Sequence, residues 1–220
     1  MSPDKKLSTN RIHMNLKVVA FDCDGVLFDS RSSNIAFYNH VLEHFNCPPM
    51  NEAAVDYIHA HTVYESLAHI FPRHPNLDEI ITYCRSMDYM QFIPLMLREA
   101  HLIEFLQFLR PDFGTAVATN RTSTTKAVFE HHNLKDFFDI IISAQDVEHP
   151  KPHPESFLKI FQHFGIGPEE ALYFGDSTVD QEFARNCGVK LVAFRSPQLE
   201  ADYYIDSFAQ GPELIRSLII

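Results

Sequence analysis

Five short apolar runs, each ending at or beside polar residues, constrain the fold of this chain more than any other feature. They are LKVVAFD (16–22), GTAVATN (114–120), FDIIISA (138–144), ALYFGD (171–176) and VKLVAF (189–194). Runs so short and so continuously apolar read as strands covered on both faces, the condition of a parallel sheet. Helical stretches alternate with them: TSTTKAVFEHHNL (122–134), PESFLKIFQHFG (154–165) and TVDQEFARNCG (178–188). The last two close on Gly165 and Gly188, as helix C-termini do. The alternation predicts an α/β fold, a Rossmann-like parallel sheet with helices on both faces.

The rhythm breaks between Arg31 and Leu97. Apolar residues there recur at helical spacing: Ile35, Tyr38, Leu42 and Phe45, then Val63, Leu67 and Ile70, then Ile80, Tyr83 and Met87. CPPM (47–50) and FPRHPN (71–76) separate the helices, because proline cannot continue a helix interior. The block is too long for a simple crossover. It predicts an all-helical cap domain, 31–97, inserted into a core made of 16–30 and 98–220. Residues 1–15 are polar and aperiodic and read as a loose tail.

A chain of 220 residues, 45% of them hydrophobic, can fill such a core together with its insertion. Its formal charge of −11 argues against nucleic acid or an anionic membrane as partner. No apolar run approaches the roughly 20 residues that span a bilayer. Cys23, Cys47, Cys84 and Cys187 form no CxxC or CxxH pattern, and the N-terminus does not resemble a signal peptide. A reducing, cytoplasmic setting is expected.

The chemistry gathers where the strands end. Asp22 and Asp24, one residue apart, are expected to point the same way as a carboxylate pair, with Cys23 turned inward. Gly25 lets the backbone turn and approach a ligand closely. Thr119 and Asn120 close the second run, and Asp176 and Asp180 follow the fourth. In open parallel sheets, ligands bind beyond the carboxyl ends of the strands. Clustered carboxylates are costly unless compensated, and a hard divalent cation such as Mg²⁺ compensates them best. Lys151, set between two prolines in HPKPHPESF, is a further source of positive charge.

Taken together, these segments resemble the haloacid dehalogenase (HAD) superfamily of aspartate-nucleophile hydrolases. The likeness is to the subgroup with a helical cap after the first strand, which includes phosphoglycolate phosphatases and β-phosphoglucomutases. DCDGVLFDS resembles the family's first motif, ATN its second, KPHPESF its lysine motif and GDSTVD its fourth. The resemblance implies that Asp22 attacks phosphorus to form an aspartyl-phosphate, and that Asp24 serves as acid and then base, a role suited to a raised pKa. It also implies that Thr119, Asn120 and Lys151 hold the phosphoryl group. Asp22, Asp24 (through its carbonyl) and Asp176 would hold Mg²⁺, and Asp180 would support the metal or Lys151.

Within the superfamily, Asp24 favours phosphoryl transfer over dehalogenation, since dehalogenases lack that second aspartate. Phosphonate-cleaving relatives use a cap lysine, yet no lysine occurs between Lys17 and Lys126. Sugar-phosphate mutases of the subgroup carry a histidine where this chain has Asn34. The expectation is therefore a Mg²⁺-dependent phosphatase acting on a small phosphomonoester, phosphoglycolate-like or a sugar phosphate. A phosphomutase is one alternative, and a noncatalytic protein binding a phosphorylated ligand or a protein partner is another. The oligomeric state, monomer or homodimer, stays open.

Other readings compete at single positions. Thr119 and Asn120 could cap the next helix, and Arg121 reads equally as a substrate contact or a surface residue. Arg31, Arg73 and Arg85 are the candidate specificity cations of the cap. Among the 13 histidines, His40 and His44 could share a helix face, but they lack a third ligand for zinc.

Overall fold

The computed structural model describes residues 14–60 and 63–219. The chain runs through β1 (Val18–Phe21), β2 (Phe28–Asp29), α1 (Arg31–His44), α2 (Glu52–Ala60), α3 (Val63–Ile70), α4 (Leu77–Ser86), β3 (Leu97–Arg98) and α5 (Leu102–Leu109). It continues through β4 (Gly114–Ala118), α6 (Thr125–His131), β5 (Ile140–Ile142), α7 (Glu155–Phe164), β6 (Ala171–Gly175), α8 (Thr178–Cys187), β7 (Lys190–Phe194), β8 (Tyr203–Ile205) and α9 (Gly211–Ile219).

Six strands form one parallel sheet in the order β5-β4-β1-β6-β7-β8. The five expected runs all lie in it. Alternation along β1 explains its continuous hydrophobicity. Val19 and Phe21 join the apolar layer that includes Phe105 and Leu106 of α5 and Val128 and Phe129 of α6, with Ile215 of α9. Val18 and Ala20 face the opposite layer, with Phe157 and Ile160 of α7 and Phe183 of α8. The helices α7 and α8 end on Gly165 and Gly188, both left-handed (φ +65° and +70°).

β1 lies at the switch point: the chain proceeds from it to β4 and β5 on one side, then returns to β6 on the other. Such switch points open a crevice at the strands' carboxyl ends. Phe21 lies opposite Val117 of β4 and Phe174 of β6, so Asp22 emerges where the crevice begins.

The stretch from Arg31 to Ser86 forms α1–α4, and these helices bury a core of their own: Tyr38, Val41, Leu42, Ile58, Leu67, Phe71 and Ile80. Of the apolar positions expected to pack there, Ile35 is absent from that cluster, and so is Val63. It opens α3 with 58% of its surface exposed, while Leu67 carries the contact. Four further elements are not foreseen by the sequence pattern. β2 and β3 form a two-stranded antiparallel ribbon where the helical block leaves and rejoins the sheet, so Leu97 is in a strand. β8 extends the sheet beyond β7, and α9 covers one face.

Residues 1–13 of the expected tail lie outside the described residues. Met14 is buried, and its N–H donates to the Leu218 carbonyl. All four cysteines are free thiols, and no helix among the described residues is long and apolar enough to cross a membrane.

Candidate active site

Asp22 follows the last residue of β1, and its N–H still donates to the Phe174 carbonyl at 2.8 Å. The side chain is buried, and Oδ1 accepts from Lys151 Nζ at 2.7 Å. Lys151 reaches it from the loop before α7. That ammonium has three donors, and each is used: the other two go to Asp180 Oδ1 at 2.8 Å and the Tyr173 hydroxyl at 2.9 Å. The Asn120 side chain fixes the backbone of Lys151 from both sides, accepting from its N–H and donating to its carbonyl, each at 2.9 Å. Asn120 therefore positions the lysine. Thr119 is buried, and its hydroxyl oxygen accepts from the Arg121 N–H at 3.1 Å. α6 begins only at Thr125, after Thr124 at its cap position, so neither Thr119 nor Asn120 caps it.

Asp180, in the first turn of α8, has no exposed surface. Its Oδ1 accepts from Lys151 and from Tyr173 (2.7 Å), and its Oδ2 accepts from the Ser177 hydroxyl (2.6 Å). Burial works against its ionisation, but Lys151, Ser177 and Tyr173 together hold its carboxyl below the ordinary range. Asp22 is less favoured. Burial, reinforced by the charge of Asp180 and opposed by Lys151, pushes its carboxyl up to about 7.

In the sequence Tyr173 reads as one more apolar strand residue. A buried tyrosine hydroxyl needs a partner, and a lone tyrosine in a strand ending three residues later at a carboxylate was the available signal. Ser177 was equally unassigned. It caps α8 through the reciprocal bonds it makes with Asp180.

Asp24 and Asp22 are neighbours held by different cations. Arg121 Nε donates to Asp24 Oδ2 at 3.0 Å and Nη2 to Oδ1 at 2.6 Å, a bidentate fork. Nη1 bonds the Thr124 hydroxyl at 2.9 Å, and the guanidinium lies 5.3 Å from the centre of the Tyr89 ring. Arg121 is thus not a free surface residue: only 7% of its side chain is exposed, and its guanidinium is engaged by Asp24 and Thr124. The fork corrects one expectation about Asp24. Burial pushes its carboxyl up, but the charge and hydrogen bonds of Arg121, together with Ser30 and Lys151, outweigh burial, so its pKa is lowered rather than raised.

Asp176 ends the β6 run, and its carbonyl accepts from the Ser196 hydroxyl at 2.6 Å. Its carboxylate lies against Gly25, where φ is +82° and any Cβ would collide with it. The close approach that Gly25 permits is therefore to Asp176. Burial, with the charges of Asp180 and Asp22, pushes the Asp176 carboxyl up to about 8.

Carboxylate oxygens of Asp22, Asp176 and Asp180 lie within 4.8 Å of one another, while the Asp24 side chain is turned to Arg121. Among the described residues Lys151 is the only ammonium bonded into this cluster, so the cluster carries more negative than positive charge. Hard oxygen donors with a surplus of negative charge fit Mg²⁺. Asp180 already has its lone pairs on Lys151, Tyr173 and Ser177, which leaves Asp22 and Asp176 as the carboxylates with capacity to spare.

Comparison with known proteins gives this arrangement a context. The model of the haloacid dehalogenase-like hydrolases matches residues 19–194. The pyrophosphatase PpaX of Bacillus cereus is 27% identical over 197 residues, covering 89% of this chain and 90% of that protein. The crystal structure of a HAD-superfamily hydrolase, subfamily IA, variant 1, from Geobacter sulfurreducens superposes with a TM-score of 0.81. It has 38% identity and covers 92% of this chain and 97% of that one. The β-phosphoglucomutase of Clostridium difficile shares the fold, with a TM-score of 0.76 at 17% identity, over 93% of this chain and 97% of that one.

Proposed function

This chain belongs to the haloacid dehalogenase-like hydrolases, and we propose that it is a Mg²⁺-dependent phosphatase of small phosphorylated metabolites working through an aspartyl-phosphate on Asp22. The observation that carries this reading is the placement of Asp22, buried at the switch point with one carboxylate oxygen on Lys151 and the carboxylate of Asp176 beside it.

In this reading the Asp22 oxygen that is not bonded to Lys151 attacks phosphorus, and the P–O bond to the leaving group breaks. Lys151, held by Asp180, Tyr173 and Asn120, offsets charge on Asp22 and the phosphoryl oxygens. Thr119 lines the same edge. Asp24 gives a proton to the leaving oxygen, and in the second step takes one from the water that attacks the phosphoryl group. The resting fork on Arg121 keeps Asp24 ionised, which suits the second step. The first step requires Asp24 to take up a proton, from solvent or from the monoanionic ester, once an incoming phosphate competes for Arg121 and loosens the fork. Mg²⁺, held by Asp22, Asp176 and the Asp24 carbonyl, would supply positive charge to the phosphoryl oxygens.

The helical segment 31–97 acts here as a cap, with 16–30 and 98–220 as the core. The separate apolar cluster of α1–α4 supports this, as does Tyr89, which reaches Arg121 at the core edge, while Ile93 and Met96 pack into the core layer. The free thiols agree with a cytoplasmic setting.

The test is phosphate release from a panel of small esters, including phosphoglycolate and sugar phosphates, with inorganic pyrophosphate added because PpaX is named a pyrophosphatase. Release with Mg²⁺ that EDTA abolishes supports the reading. Ligand-induced thermal stabilisation without turnover would favour a noncatalytic binding protein instead.

A further inference from the structure

We propose that His149, His153 and Glu155 form a second metal site, for a borderline divalent transition ion such as Zn²⁺, on the loop that carries Lys151. The three residues come from one short stretch, HPKPHPE, and each offers a ligand atom within 4.8 Å of the others. The imidazole rings lie with centroids 4.6 Å apart, and His149 Nδ1 is 3.5 Å from Glu155 Oε2. Ligands around a tetrahedral zinc, bonded at about 2.0–2.2 Å, stand roughly 3.3 Å apart. Both histidines are exposed, so side-chain rotation can close the remaining gap without moving the backbone.

The carboxylate is already aimed. Its two oxygens accept from the backbone N–H groups of Glu148 and His149, both at 2.9 Å. The two N–H groups form the supporting shell that metal ligands commonly have, and the oxygens keep lone pairs for a metal. Prolines 150, 152 and 154 restrict the backbone between the ligands, which lowers the entropy lost on chelation. Two imidazoles and one carboxylate select zinc and its neighbours over Mg²⁺ and Ca²⁺, which prefer oxygen alone. The opposing charge is Lys159, 3.9 Å from Glu155 Oε1 and bonded to the Asp146 carbonyl, and 41% of its side chain is exposed, so it can swing away.

The other histidine pairs do not form such a site. His40 Nε2 meets the Tyr83 hydroxyl at 3.3 Å, and His44 stacks on the Tyr83 ring. His132 packs against Phe28. Among the described residues, His149–His153–Glu155 is the only cluster of three metal-ligand side chains apart from Asp22–Asp176–Asp180. It is independent of the carboxylate cluster: its ligands flank Lys151 in the chain, while Lys151 itself points to Asp22.

The metal-stripped full chain, titrated with Zn²⁺ against a chromophoric indicator, tests this. With excess Mg²⁺ present to fill the carboxylate cluster, the wild type is expected to bind one Zn²⁺ per chain, and His149→Ala/His153→Ala to bind it at least about tenfold more weakly. Asp176→Asn is expected to bind it as the wild type does. Zn²⁺ should also slow hydrogen exchange across 148–155 in the wild type and in Asp176→Asn, and leave it unchanged in the double histidine variant. Circular dichroism without metal establishes that each variant is folded. Undiminished Zn²⁺ binding by the double variant would overturn the proposal, as would loss of binding in Asp176→Asn, which would place the ion in the carboxylate cluster. Absence of binding by the wild type at micromolar Zn²⁺ would overturn it as well.

Discussion

The guanidinium of Arg121 is forked onto both carboxylate oxygens of Asp24, at 2.6 and 3.0 Å, across 97 residues of chain. Such bidentate pairs are among the stronger side-chain hydrogen bonds. This one is well shielded on the arginine side, with 7% of that side chain exposed, and less so on the aspartate side, with 34%. Arg121→Met should therefore lower stability by about 1–3 kcal/mol, because it leaves a half-buried carboxylate without its partner. A double-mutant cycle with Asp24→Asn, read by urea unfolding, should give a coupling energy above about 0.5 kcal/mol. Additive losses would mean that the fork contributes nothing to stability.

Tyr173 makes the case for polar support behind the site. Its hydroxyl donates to Asp180 at 2.7 Å and lies 2.9 Å from Lys151 Nζ, with no surface exposed. Tyr173→Phe preserves the ring packing against Phe157 and Phe183 and removes only the hydroxyl. A loss of about 1.5–3 kcal/mol is expected in urea unfolding, the usual scale for a hydrogen bond to a charged group. A variant as stable as the wild type would show that Asp180 and Lys151 need no third partner.

Much of this arrangement is written in local sequence, and part of it is not. The runs that form β1, β4, β5, β6 and β7 are legible because a strand buried on both faces has no choice but continuous hydrophobicity. Gly165 and Gly188 mark the ends of α7 and α8 because only a left-handed residue closes those helices so. Asp22, Asp176 and Asp180 stand out as charge following greasy runs and Lys151 as charge set between prolines, and the fold brings them together. The Arg121–Asp24 fork is not legible, since nothing at either position signals a partner so far along the chain. β8 escapes because its YYI run is short, with Tyr204 exposed at the sheet edge. The two-residue ribbon of β2 and β3 is too short to show any periodicity.

The raised values at Asp22 and Asp176 set a pH dependence for the metal-free protein. Both carboxyls titrate higher in the fold, at about 7 and about 8, than in the unfolded chain, near 3.8. The folded state therefore holds more protons across that interval, and their contribution to stability is lost as pH rises through 7 and 8. A cation must displace those protons. The increase in Tm produced by Mg²⁺ should accordingly be larger at about pH 8.5 than at about pH 6.5, measured by scanning fluorimetry against EDTA controls. An equal shift at both values would place the cation away from these carboxylates.

In the proposed mechanism Asp22 carries the phosphoryl group. The most direct measurement is acid-quenched peptide mass spectrometry during turnover of the best panel substrate with Mg²⁺, alongside steady-state phosphate release by wild type and Asp22→Asn. A phosphoryl increment on the peptide containing Asp22 is expected in the wild type. The folded variant should show no increment, with turnover lower by a factor of about 10³ or more. Substantial turnover by Asp22→Asn, or an increment confined to another peptide, would contradict the account.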